Sequence, residues 1–74
     1  MNLTDFRDRL DILDKELLRL FAERMDIVAE VAEYKRQEGL PIYDPQRERQ
    51  KLALLSEQVP DALRGYAERL FSLL

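Results

Sequence analysis

Seventy-four residues allow one domain with a modest core, and chains of that size usually need a cross-link, a metal or a partner for stability. With no Cys and no His there is no disulfide, no thiolate and no imidazole, which excludes thiol nucleophiles together with the commonest general base and the commonest zinc ligand. A formal net charge of −3 argues against nucleic acid, and no apolar run approaches membrane-spanning length or the pattern of a signal peptide, so a cytoplasmic protein without membrane contact is expected.

From Asn2 to Glu38 there is neither Gly nor Pro. The apolar positions Leu3, Phe6, Leu10, Leu13, Leu17 and Leu20 alternate steps of three and four, and the rhythm resumes at Ile27 or Val28 and at Val31. That period, near 3.5, predicts a helix that packs lengthwise against another. Asn2 or Thr4 can cap its start, and Asp5 and Asp8 suit the positive N-terminal end. Gly39 followed by Pro41 stops it. About 35 helical residues span roughly 50 Å.

A short loop, Gly39-Leu40-Pro41-Ile42-Tyr43, comes next. Asp44-Pro45 then reads as an N-cap with Pro at the first helical position, opening a second helix to about Glu57 with Leu52 and Leu55 inward. Val59-Pro60-Asp61 breaks the chain again. A third helix runs to the C-terminus, with Leu63, Tyr66 or Ala67, Leu70 and Leu74 on one face. Gly65 inside it costs about 1 kcal/mol relative to Ala, which weakens its first turn. The expected fold class is all-α, one three-helix domain over 1–74.

The second and third helices are each less than half as long as the first. A lone chain could fold them over only part of the long seam, and soluble monomers avoid an exposed apolar stripe of that length. Two copies exchanging their long helices cover it, so an intertwined homodimer is expected. An extended parallel coiled coil leaves the apolar faces of the two shorter helices uncovered.

Charges interrupt the seam. Arg24 falls between Leu20 and Ile27, where a buried Arg is costly without a partner. Lys35 lies three turns later, about 16 Å along the axis and rotated by about 20°, so an anion between the two could touch both. Arg7 precedes Arg24 by about 25 Å of axis and is rotated by roughly 100°. In a straight helix it cannot join the same small site, but in an exchanged dimer the other copy's Arg7 can. Asp44, Arg47 and Glu48 fall within one turn at the start of the second helix. Cations concentrated against an acidic net charge suggest a pocket for a small dianion.

Each residue also has an ordinary reading. Arg24 alone fits an interfacial salt bridge, Lys35 a solvated helix C-terminus, and Asp44 is a cap in either case. Arg47 and Glu48 fit surface charges. Glu16, Arg19, Glu23, Glu30, Glu33 and Arg36 read as solvated face, and the aromatic residues as core or rim. The joint spacing is what favours a site.

That joint pattern resembles the all-helical class of chorismate mutases. It is carried by Phe6-Arg7, Leu13-Asp14, Leu17-Leu18, Leu20-Phe21-Ala22-Glu23-Arg24, Val28-Ala29-Glu30-Val31-Ala32 and Lys35, then by Pro41-Ile42-Tyr43-Asp44-Pro45-Gln46-Arg47-Glu48. The family order is an early Arg, an Ile-Asp or Leu-Asp pair, Leu-Leu-x-Leu-(Leu/Phe)-Ala-Glu-Arg, Val-Ala-x-x-Lys and Asp-x-x-Arg-Glu. No single element is specific, but the ungapped series is. The ending Arg69-Leu70-Phe71-Ser72-Leu73-Leu74 is similar to the family's third helix.

The resemblance implies an exchanged dimer with two shared active sites. It implies that Arg7 of one chain and Arg24 of the other hold the two carboxylates of chorismate, and that Lys35 donates to the ether oxygen. Glu48 and the Asp44 region would hold the ring hydroxyl, and Arg47 would orient the carboxylates. The implied catalytic residues are therefore Lys35, Arg24 and Glu48, with Arg7, Asp44 and Arg47 completing the substrate-binding set. Rearranging chorismate to prephenate is a unimolecular pericyclic step that calls for no nucleophile, general base, metal or cofactor, which suits a chain without His or Cys. It is helped by holding a flexible dianion in a compact chair-like shape and by a cation where charge builds as the C–O bond breaks.

In the family, helix three continues and brings in a small hydroxyl residue and then a Gln, the second donor to the ether oxygen. The present sequence stops at Leu74. On that resemblance, the 74 residues alone are expected to bind a chorismate-like dianion and turn it over slowly, with fusion to or complex with another pathway enzyme as one setting. The alternatives are an isochorismate-pyruvate lyase on the same fold, a non-catalytic dimer module that binds chorismate or prephenate, and a purely structural dimerisation domain.

Overall fold

The computed structural model describes residues 1–74, all helical apart from turns and connecting loops. It contains a long helix α1, Leu3–Glu38, then α2, Pro45–Ser56, and α3, Arg64–Leu73, the last preceded by a 3-10 turn at Asp61–Leu63. The all-α expectation is met, with a long N-terminal helix and two short ones. No helix is long and apolar enough to cross a membrane. The chain divides into two compact units, Met1–Ile42 and Tyr43–Leu74.

In the first unit, α1 starts at the predicted place. Asn2 is the cap: its side-chain oxygen accepts the Asp5 N–H at 2.9 Å, while the Asp5 carboxylate accepts the Asn2 N–H at 3.1 Å. Two N–H groups that the helix cannot satisfy itself are thereby paired, and the Asp5 charge sits at the positive end of the helix. At the other end Gly39 adopts a left-handed conformation, φ 68°, ψ 27°, which a side chain would strain. Its N–H donates to the Arg36 carbonyl and the Leu40 N–H to the Lys35 carbonyl at 2.9 Å, reversing the chain.

None of the 36 residues of α1 is buried within the chain. The seam positions Leu3, Phe6, Leu10, Leu13, Leu17, Leu20, Ile27 and Val31 are between 45% and 61% exposed. On α1 only Arg24, Ala32 and Lys35 are half-buried. A helix this long is not held by propensity alone; amphipathic helices take most of their stability from packing. The apolar row of α1 is thus left uncovered within the chain.

In the second unit, Asp44 caps α2 by accepting the Arg47 N–H at 3.1 Å, and Pro45 takes the first helical position, as the sequence predicts. The helix ends where the Gln58 N–H turns back to the Leu55 carbonyl at 3.1 Å. The Ser56 hydroxyl donates to the Ala53 carbonyl at 2.9 Å, and Ser56 is the single buried residue of the chain. Arg64 joins the two short helices: its Nε donates to the Ser56 carbonyl at 3.2 Å, and its guanidinium meets Asp61 at 2.9 Å.

The third helix departs from expectation in two ways. Its first turn is 3-10, with the Leu63 N–H bonded to the Pro60 carbonyl at 2.8 Å, and α-helical geometry begins at Arg64. Of the expected face, Ala67 and Leu74 are half-buried, but Leu63, Tyr66 and Leu70 stay exposed, and Phe71 takes the place between Ala67 and Leu74. The helix packs with α2, whose Leu52 and Leu55 are half-buried, as is Val59 in the turn that follows.

Candidate active site

The residues singled out above fall into two local groups. On α1, Arg24 and Lys35 are three turns apart on one face, about 16 Å along the axis. They are the only charged residues of that helix that are half-buried, so their aliphatic stems lie partly out of solvent. Arg7 stands near the start of the helix and is exposed. Straight α-helical geometry keeps it about 25 Å from Arg24 along the axis, so one copy of α1 does not bring the two together.

Lys35 occupies the last turn of α1, where a cation is favoured by the helix dipole. Its ammonium donates to the Ile42 carbonyl at 3.2 Å. The ordinary reading of Lys35, a solvated residue at a helix C-terminus, is thus incomplete: it is half-buried and tied to the loop that follows. Nothing in the side-chain pattern predicts this partner, because the acceptor is a backbone carbonyl.

The helix surface behaves differently. Arg19 is hydrogen-bonded to Glu16 and ion-paired with Glu23 at 3.2 Å, and Arg36 is paired with Glu33. The Arg19 hydrogen bond holds the Glu16 carboxyl below the usual carboxylate range, and Arg36 does the same to Glu33. All five are solvent-exposed, so these pairs contribute little stability. They are the residues read from the sequence as solvated face. Arg7, Lys35 and Arg47, by contrast, make no ion pair with any carboxylate of the chain.

On α2, Asp44, Arg47 and Glu48 share the first turn. One Asp44 carboxylate oxygen accepts the Arg47 N–H, and the Asp44 carbonyl accepts the Glu48 N–H at 3.1 Å. The cap fixes the backbone of this turn and leaves the Arg47 guanidinium and the Glu48 carboxylate facing solvent. One turn therefore offers a donor fork beside an acceptor, suited to a ligand carrying both a carboxylate and a hydroxyl.

The T-protein of Haemophilus influenzae is 38% identical to the chain, over 86% of the chain and 20% of its own length. The chorismate mutase of Methanocaldococcus jannaschii is 45% identical over 64% of the chain and 48% of its own length. A bifunctional chorismate mutase/prephenate dehydratase of Aquifex aeolicus is 37% identical over 77% of the chain and 17% of its own length. The chain spans less than half the length of each of these relatives. No solved structure matches it. The family model of type II chorismate mutases matches residues 6–74, from the residue before Arg7 through α3 to Leu74, and the chain belongs to that family.

Proposed function

We propose that the chain is a chorismate mutase domain of the cytoplasm, acting as a helix-exchanged homodimer. The observation that carries this reading is the pair of half-buried cations, Arg24 and Lys35, on one face of α1 in a chain that is acidic overall. Family membership supplies the reaction class. The bifunctional Aquifex relative supports a setting in which the domain is fused to, or paired with, another enzyme of the pathway.

In this reading the substrate is a dianion with a flexible enolpyruvyl arm. Arg24 and the Arg7 of the other copy grip one carboxylate each, with Arg47 orienting them, and the bidentate guanidinium fork sets direction as well as distance. Glu48 and the Asp44 turn hold the ring hydroxyl. Pinned at these points, the arm is folded over the ring and much of the entropy of reaching the chair geometry is removed. The ether C–O bond then breaks as the new C–C bond forms, with three electron pairs moving round one six-atom ring and no proton transferred. Negative charge builds on the ether oxygen, and the Lys35 ammonium stabilises it more than it stabilises the ground state.

Exchange of α1 between copies is supported by the exposed seam and by the position of Arg7. Sedimentation equilibrium should return twice the chain mass at micromolar concentration, and a well-folded monomer would overturn the exchanged arrangement. Incubation with chorismate should yield prephenate, whereas isochorismate should be left largely intact. Pyruvate release from isochorismate with no prephenate from chorismate would make the domain a lyase. Binding of chorismate without turnover would make it a regulatory module.

A further inference from the structure

Lys35 is held at both ends. Its own carbonyl accepts the Leu40 N–H at 2.9 Å, and its ammonium donates to the Ile42 carbonyl at 3.2 Å. Between these two bonds runs a short reversal set by the left-handed Gly39 and by Pro41, whose ring fixes its own φ. A lysine side chain otherwise carries large rotamer entropy and sweeps a wide volume. Here the four-carbon stem is pinned over the last turn of α1. An ammonium has three N–H donors, so one bond to Ile42 leaves two for a ligand.

We propose that the Ile42 carbonyl is a positioning group for Lys35: the 39–42 reversal holds the ammonium in place before substrate arrives. The consequence for turnover rests on the mutase reading; the clamp itself does not. Ile42 and Tyr43 are 73% and 71% exposed, so the effect runs through the backbone and not through their packing. The Tyr43 N–H makes no hydrogen bond, and this permits a clean test. Replacing Tyr43 by its α-hydroxy acid counterpart turns the Ile42–Tyr43 amide into an ester. The ester weakens the carbonyl as an acceptor and deletes only an N–H that is unused.

A chain of 74 residues is within reach of chemical synthesis, with the Lys35 side-chain nitrogen labelled. Two quantities are then read: the order parameter of that ammonium without substrate, and kcat and KM with chorismate. The parent chain should show an ordered Lys35 ammonium. The ester chain should show a mobile one, a kcat lower by about five- to tenfold, and a KM within about twofold. Pro41→Gly, which loosens the reversal but keeps the amide, should move the same quantities in the same direction. A general loss of structure would instead raise KM and lower the melting temperature with it. A freely moving Lys35 ammonium in the parent chain overturns the clamp, and an unchanged kcat in an ester chain whose ammonium has become mobile overturns its role in positioning Lys35 for turnover. If the parent chain does not convert chorismate, the mutase reading fails, and the order parameters alone decide whether Ile42 holds Lys35.

Discussion

Homodimers of Arg7→Ala and homodimers of Arg24→Ala should each lose about a hundredfold or more of chorismate turnover, because each leaves a substrate carboxylate without its charged partner. Mixing the two variants in equal amounts and refolding them should bring back about a quarter of the parent activity per site, since half the dimers are mixed and half their sites are intact. The argument is geometric. If Arg7 serves the site built on the other copy's Arg24, a mixed dimer has one site with both arginines and one with neither. If Arg7 serves its own chain, every site in a mixed dimer carries one lesion and nothing returns. Separation of the mixed dimer by a charge tag on one variant, followed by steady-state kinetics, distinguishes the two. Mixed dimers that form but stay inactive would overturn the crossed assignment of Arg7. On a straight α1 the axial distance of about 25 Å between the two arginines makes the crossed arrangement the one compatible with a small substrate.

How much of this was legible in the sequence depends on which interaction decides each feature. Asn2, Gly39, Asp44 and Pro45 act through local backbone chemistry, so the ends of α1 and the start of α2 are readable within a residue or two. The face of α3 is not. Its sequence reads as one apolar face through Leu63, Tyr66 or Ala67, Leu70 and Leu74, of which only Ala67 and Leu74 are half-buried, with Phe71 between them, and period alone does not single out that narrower row. The choice follows from packing against α2, where Arg64 ties the first turn of α3 to the Ser56 carbonyl. The 3-10 opening at Asp61–Leu63 is a local feature, in which the Leu63 N–H takes the Pro60 carbonyl in a tighter turn than an α-helix uses.

The site shows the same division. Arg24 was visible because it breaks a row of leucines, and a charge in a seam asks for an explanation. Lys35 was visible only through its register with Arg24. The Ile42 carbonyl that holds Lys35 has no sequence signature, because any residue at that position presents the same acceptor. Its placement is a product of the glycine-led reversal, and only coordinates reveal it.

Lys35→Ala should lower kcat by a factor of a few hundred or more, while KM rises by only a few-fold. Removing one preorganised donor at a site of developing charge commonly costs about 3 kcal/mol, or a hundredfold or more in rate. The larger share falls on kcat because the ether oxygen carries little charge in the ground state and gains it as the C–O bond breaks. Lys35→Arg should recover part of the loss, since it restores the charge. It should not recover all, because a planar guanidinium presents its donors differently from a compact ammonium and fits the Ile42 carbonyl less well. Lys15→Ala removes an exposed cation of the same helix and should leave turnover unchanged, which controls for the change in net charge. Steady-state kinetics on the four chains, with circular dichroism to confirm equal helicity, makes the comparison. If Lys35→Ala raised KM and left kcat intact, Lys35 would be only a carboxylate anchor, and the stabilisation of the ether oxygen would have to come from another group.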